Sequence, residues 1–121
     1  MDEQTAARLA SARNIWIATV RPDGRPHLTP VWFVVAGDTV LICISARSVK
    51  AANLRANDRC TCALEDGNSP TIFEGLASFV DPPWPETAVS AFKEKYDWDL
   101  RSETDYDLLV ELKPEKWLTW N

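Results

Sequence analysis

Histidine and cysteine are scarce in this sequence, which limits the metal and redox chemistry open to it. The chain of 121 residues contains one histidine, His27, and three cysteines, Cys43, Cys60 and Cys62. A zinc site needs several Cys or His ligands at short spacings, so the lack of a Cys-x-x-Cys pair argues against one. On a strand, Cys60 and Cys62 would share one face, which favours buried packing. An odd number of thiols and no export signal predict reduced cysteines in a cytoplasmic protein.

Long apolar runs and an excess of basic charge are also missing. No stretch approaches the roughly 20 apolar residues of a membrane-spanning helix, and the segment from Met1 to Ala12 is too polar for a signal peptide. The chain carries 18 acidic and 13 basic residues, a net charge of −5. This balance argues against a nucleic-acid-binding face but allows a local basic pocket for an anionic small molecule. The length fits one domain, residues 1–121, too small to build a deep pocket without a second subunit.

The sequence does contain many short apolar segments separated by turn residues. Alternation and β-branched content predict strands at 14–20, 27–35, 39–45, 59–65, 71–80 and 106–112, with a strand-like segment at 116–120. Lys113–Pro114 is expected to end the strand and separate the last two segments. Helical spacing predicts helices over 2–12, 48–57 and 86–96, the last with Ala88, Val89, Phe92 and Tyr96 on one face. The pattern predicts a mainly β protein, a six- to seven-stranded antiparallel barrel with small helices.

The segment from Ser45 to Asn53 carries the clearest sign of a binding site. Arg47 and Lys50 lie at the start of the second predicted helix, where the helix dipole is positive and free N–H groups need acceptors. A bound phosphate would satisfy both demands, with hydroxyl donors from Ser45 and Ser48 and an amide from Asn53. Two solvated cations are the alternative, at a cost of only about 0.3–1 kcal/mol each. Charge alone does not decide between them.

Prolines interrupt the second predicted strand. Pro30 has no N–H to donate, so the strand is expected to lie at a sheet edge there or to carry a bulge. An interrupted ladder leaves backbone groups free for the polar edge of a planar ring. A plain edge strand, protected against aggregation, is the alternative. On the same strand, His27 is interpreted as a surface residue rather than a catalytic base.

Two other groups of residues are interpreted as structural. Acidic residues between Asp97 and Asp107 surround Trp98, but their spacing does not match a calcium loop and favours a solvated surface loop. Trp16 and Trp32 fit buried positions on strands. Since no acid–base pair is evident, any chemistry is expected to come from a cofactor.

The order of the motifs is more specific than any one of them. It runs from an Asp23-Gly24 turn through Pro26-x-x-x-Pro30-Val31-Trp32-Phe33 and Ser45-x-Arg47-Ser48-x-Lys50-x-x-Asn53 to Glu74-Gly75-x-Ala77 and Leu112-x-Pro114-x-x-Trp117. In this order the motifs resemble the FMN-binding split barrel of the pyridoxamine 5′-phosphate oxidase superfamily. The resemblance covers nearly the whole chain. It implies a Greek-key split barrel that forms a homodimer.

The resemblance also implies a place for each part of the cofactor. The segment around Lys50 would hold the phosphate, and the strand around Pro30 would lie along the isoalloxazine ring. The opposite subunit would cover the ring with residues near its C-terminus, by position Trp117 or Trp120, although barrel or dimer packing explains either tryptophan as well. The candidate cofactor-binding residues are Thr29, Pro30, Val31, Trp32, Ser45, Arg47, Ser48, Lys50, Asn53 and Trp120.

FMN is the implied cofactor, with the 8-hydroxy-5-deazaflavin coenzyme as the alternative. The chain is shorter than the vitamin B6 oxidases and has no match for their pyridoxal phosphate pocket, so it looks closer to short flavin- or deazaflavin-dependent oxidoreductases. The implied function is hydride transfer to or from a small molecule, with neither nucleic acid nor membrane as a partner. A non-catalytic flavin carrier or sensor needs the same phosphate site, so that function is an open alternative. A structural barrel that binds no cofactor is a further alternative.

Overall fold

Seven antiparallel strands form one curled sheet in the computed structural model, which describes residues 1–119. The elements are α1 (Glu3–Ser11), β1 (Ile15–Val20), β2 (Pro26–Val31), β3 (Phe33–Ala36), β4 (Thr39–Ile44), α2 (Val49–Ala56), β5 (Arg59–Leu64), β6 (Thr71–Val80), α3 (Glu86–Tyr96), a 3₁₀ turn (Leu100–Ser102) and β7 (Leu108–Thr119). The strand order is β2-β1-β5-β6-β7-β4-β3, in which β4 returns beside β7 in a Greek-key arrangement. The predicted mainly β split barrel is confirmed.

The second predicted strand is in fact two strands, broken at Trp32. β2 pairs with β1 while β3 pairs with β4, so the two halves lie at opposite edges of the sheet. Because one residue joins them, the two edges come side by side and the sheet curls. The Tyr96 hydroxyl stabilises the break: it accepts the N–H of Phe33 at 3.0 Å and lies 2.9 Å from the carbonyl oxygens of Phe33 and Arg13. Pro30 lies on an edge strand, as predicted.

The predicted break at Lys113–Pro114 is wrong, because β7 continues through it. The register of β6 and β7 shifts between Glu74 and Gly75, because β7 bulges at Glu115 beside Pro114, which absorbs the missing proline N–H. Glycine is required there, since a Cβ on Gly75 would lie 2.5 Å from the Lys113 carbonyl oxygen.

Local capping sets the ends of the helices. Asp2 accepts the N–H of Thr5 at 2.8 Å at the start of α1, and Ser48 caps α2 as its position predicts. α3 has the predicted bounds and ends at Asp97, which has a φ of 54°. The predicted buried face of α3 is confirmed: Ala88, Val89, Phe92 and Tyr96.

The buried side chains form two clusters, one on each face of the curled sheet. The larger fills the barrel and includes Leu9, Ile17, Phe33, Phe73 and Leu112. The smaller joins α3 to the outer face of β3, β4 and β7 and includes Val34, Leu41, Phe92 and Leu109. All three cysteines are free and buried, and Trp117 packs on Phe73 at a centroid distance of 5.2 Å. In the part of the chain described, no helix is long and apolar enough to cross a bilayer.

Candidate cofactor-binding site

A cavity of about 840 Å³ lies beside the break between β2 and β3. Its wall is formed by the end of β2 with Trp32, by the end of β4 with the turn into α2, and by the segment after α3. The volume is near the upper end of the roughly 300–1,000 Å³ typical of small-molecule sites. Such a cavity is large enough for a small-molecule cofactor.

The cavity brings together residues from both segments that the sequence singled out. These segments are separated in the chain by β3 and β4, and they meet because the ends of β2 and β4 both lie near the strand break. The predicted residues that line the cavity are Pro30, Val31, Trp32, Ser45, Ser48 and Lys50.

The other predicted residues lie elsewhere. Asn53 is 2% exposed and its amide donates to Thr19 Oγ1 at 3.0 Å, a bond that ties α2 to β1 inside the barrel. Arg47 is exposed, just before the helix cap. Thr29 lies on β2 beside the wall, and Trp120 falls outside the described residues.

The turn into α2 points free donors outward from the helix start. Ser48 Oγ accepts the N–H of Ala51 at 3.2 Å and donates to the Ser45 carbonyl at 2.7 Å. The N–H groups of Val49 and Lys50, in the first turn of α2, have no hydrogen-bond partner within residues 1–119. They remain available to an acceptor bound at this position.

Lys50 makes this end of the cavity suited to an anion. Its side chain is half-buried and forms no ion pair with any carboxylate that the structure describes. Burial lowers the pKa of the Lys50 ammonium, and no neighbouring acid opposes that shift. A partly desolvated cation beside free helix N–H groups is stabilised by an anionic ligand. We call the wall formed by Ser45, Ser48 and Lys50 the basic end.

Trp32 forms the middle of the wall, although the sequence suggested a buried strand position. It is 39% exposed because it occupies the break between two strands. Its ring stacks on Tyr96 at a centroid distance of 4.5 Å and an interplanar angle of 6°. The expectation for Trp16 is also wrong: this side chain is only partly buried and donates to Glu65 at 3.1 Å.

His27 is less exposed than the sequence suggested. It lies on the face of β2 that also carries Thr29 and Val31, the less exposed positions of that strand. His27 Nδ1 and Thr29 Oγ1 are buried and lack a partner in the described chain. Burial, followed by the charges of Arg21 and Lys50, lowers the pKa of His27, so the ring is neutral at neutral pH. His27 itself is not part of the cavity wall.

The sequence interpretation missed one side of the cavity. The acidic segment after α3 is not simply a solvated loop, because part of it forms another wall of the cavity. We call this wall the aromatic–acidic end: Asp97, Trp98, Glu103, Asp105 and Tyr106. Two aromatic residues within an acidic run are the signal that could have revealed it.

Cys43 also lines the cavity and was not singled out. Its Sγ donates to the Tyr106 carbonyl at 3.4 Å. Burial, with the nearby acids Asp107 and Glu103, raises the pKa of the Cys43 thiol to about 12. The thiol therefore stays protonated, and it does not act as a nucleophile at neutral pH. Within residues 1–119, no group of three or more acidic, His or Cys side chains is placed to hold a metal ion.

The comparison with protein families identifies one family. The model of the family described as pyridoxamine 5′-phosphate oxidase matches residues 1–121. A conserved hypothetical protein from Mycobacterium tuberculosis is 29% identical, with a TM-score of 0.78 over 100% of this chain and 85% of that one. A comparison with proteins of curated function finds no match.

Two other solved structures share the fold at lower identity. A heme storage protein from Vibrio cholerae is 22% identical, with a TM-score of 0.81 over 97% of this chain and 93% of that one. An F420 reductase is 20% identical, with a TM-score of 0.76 over 98% of each chain.

Proposed function

This chain belongs to the pyridoxamine 5′-phosphate oxidase family, and we propose that it is an oxidoreductase that binds FMN in the cavity beside Trp32. The observation that carries the proposal is the basic end. There an unpaired, half-buried Lys50 lies beside two free N–H groups of α2 and two serines. A phosphate monoester supplies the negative charge and the acceptor oxygens that these groups lack.

The proposed ring position follows from the shape of the wall. A ligand whose phosphate lies at Lys50 extends along Pro30 and Val31 toward Trp32, on an edge strand whose ladder continues on one side only. The bound cofactor supplies the hydride chemistry, while these residues orient its ring and exclude water. A protonated Cys43 and a neutral His27 add no competing nucleophile or strong base.

The deazaflavin coenzyme is the alternative cofactor, because it too joins a planar ring to a phosphate. The F420 reductase fold neighbour supports keeping this alternative. Heme fits less well. The lone histidine, the residue type that most often holds heme iron in globins and peroxidases, lies outside the cavity wall.

A carrier or sensor role uses the same phosphate site and differs only in turnover. The test begins with the mass of any small molecule released when the purified protein is denatured. FMN or the deazaflavin coenzyme supports the proposal, whereas heme, or no binding on addition of either flavin-type cofactor, contradicts it. Reoxidation of the reduced cofactor by added electron acceptors, faster than for the free cofactor, then separates an oxidoreductase from a carrier.

A further inference from the structure

Aromatic rings line the aromatic–acidic end of the cavity. Trp98 meets Trp32 edge-to-face at a centroid distance of 5.7 Å and Tyr106 at 5.5 Å. All three side chains line the cavity, and Trp32 and Tyr106 are 39% and 47% exposed. Aromatic faces carry negative partial charge and attract cations placed within about 6 Å of the ring centroid.

One cation already uses part of this aromatic wall. The Arg13 guanidinium lies 5.2 Å from the centroid of Trp32 and 4.9 Å from that of Tyr96. Arg13 is not among the residues that line the cavity. Trp98 and Tyr106 have no cation partner in the described part of the chain, and Tyr106 is 47% exposed, so its ring is open to a ligand.

Carboxylates give the same end of the cavity a negative charge. Glu103 accepts the indole N–H of Trp98 at 2.7 Å, which fixes the ring and places a carboxylate at its edge. Asp105 forms no ion pair within residues 1–119, whereas Asp97 is paired with Lys93 at 2.7 Å. Lys50 is the one basic side chain among the described wall residues, and it belongs to the basic end.

We propose that the aromatic–acidic end binds a small organic cation that carries an aromatic ring, such as an arylalkylammonium or N-alkylpyridinium ion, as the substrate. The identification as substrate rests on the proposed function, which places the cofactor in the adjoining part of the cavity. The binding of the cation at this end does not depend on the proposed function. Open rings supply cation–π attraction, and Glu103 and Asp105 supply the counter-charge. The cavity volume of about 840 Å³ lies within the range of small-molecule sites.

The test uses three probes of similar size and different charge. Benzyltrimethylammonium is positive, benzyl alcohol is neutral and phenylmethanesulfonate is negative. Each is titrated calorimetrically into the purified protein, with FMN present and absent. We expect the cation to bind about tenfold or more tightly than either other probe.

Variants then assign the binding to this end. Glu103→Gln combined with Asp105→Asn keeps the Trp98 acceptor, removes two charges and should weaken cation binding about tenfold. Tyr106→Leu keeps apolar volume, removes the ring and should weaken it about fivefold. Asp38→Asn, whose carboxylate is 94% exposed in the β3–β4 turn, is the matched control and should change nothing.

Lys50→Ala separates this inference from the proposed function. It should weaken FMN binding and leave cation affinity unchanged. Cation binding that persists when FMN fails to bind contradicts the proposed function alone. Equal affinity for the cation and the anion overturns this inference. Unchanged cation affinity in the double variant also overturns it. A Tyr106→Leu variant that dissociates a dimer but binds the cation as tightly as wild type overturns it too.

Discussion

The two ends of the cavity differ in how the sequence encodes them. The basic end is local: Ser45, Ser48 and Lys50 lie within one turn and the helix that it begins. The aromatic–acidic end depends on distant parts of the chain, since Trp98 reaches the cavity only when α3 packs on β3 and meets Trp32. A short sequence motif therefore suffices to predict a candidate anion site, whereas a wall assembled by tertiary packing looks like an ordinary acidic loop.

The largest expected effect is on assembly, because one chain leaves the middle of the cavity open. Val20, Leu28 and Trp32 are 40%, 60% and 39% exposed on or beside β1 and β2. We expect a second copy to cover them in a two-fold homodimer with two equivalent cavities. Light scattering at micromolar concentration should give twice the chain mass. Leu28→Asp should give the mass of one chain, and a monomeric wild type would contradict the prediction.

The next largest effect tests the residue that both ends share. Tyr96 forms part of the wall, and its hydroxyl satisfies Phe33 at the strand break. Tyr96→Phe leaves that N–H buried and unpaired, so we expect unfolding free energy to fall by about 1–3 kcal/mol. Urea denaturation measures this. Tyr106→Phe, at a 47% exposed position, is the control and should stay within about 0.5 kcal/mol of wild type. Equal stability of the two variants would show that Tyr96 does not stabilise the break.

A smaller effect is expected at Lys95, the residue before Tyr96. Lys95 Nζ donates to the Leu9 carbonyl at 3.2 Å and lies 3.8 Å from the Phe33 ring centroid. Burial, aided by the charge of Arg13, lowers the pKa of Lys95 from 10.5 to about 8. Between these values the unfolded chain binds more protons than the folded one, so the stability contributed at this position rises with pH.

The Lys95 effect is measured as a difference between variants. Wild type should gain stability relative to Lys95→Gln as pH rises from about 8 to 10.5. For Lys116→Gln, at an exposed position of β7, the curve of unfolding free energy against pH should run parallel to that of wild type. Parallel curves for wild type and Lys95→Gln would mean that the lysine is not desolvated.

The smallest effect is expected at the lone histidine. His27 is neutral and lies outside the cavity wall, so it should not serve as a general acid or base. In single turnover with reduced cofactor and saturating acceptor, His27→Gln should stay within a few-fold of wild type. Losing a positioned base costs roughly 10²–10⁴-fold. A loss of that size, with cofactor affinity intact, would make His27 the proton donor or acceptor.

The sequence predicted most elements because their signals are local. Ser48 caps α2, and α3 shows helical spacing over its full length. The predictions were wrong where a residue distant in the chain determines the local structure. Trp32 breaks a strand whose next N–H is satisfied by Tyr96, and Pro114 continues a strand because β7 bulges beside it, across from Gly75 on β6. The basic end was likewise predictable from adjacent residues, but Asn53 was assigned to it without knowledge of its bond to Thr19.

The central claim is that Lys50 binds the phosphate of a flavin-type cofactor, and calorimetric titration of FMN into wild type and Lys50→Ala tests it most directly. A well-formed charge-assisted contact contributes about 1.5–3 kcal/mol, so we expect affinity to fall roughly 10- to 150-fold while the circular dichroism spectrum is unchanged. Lys116→Ala, exposed on β7, should bind FMN as wild type does. The same FMN affinity in Lys50→Ala and wild type would contradict the account and show that Lys50 is an ordinary solvated lysine.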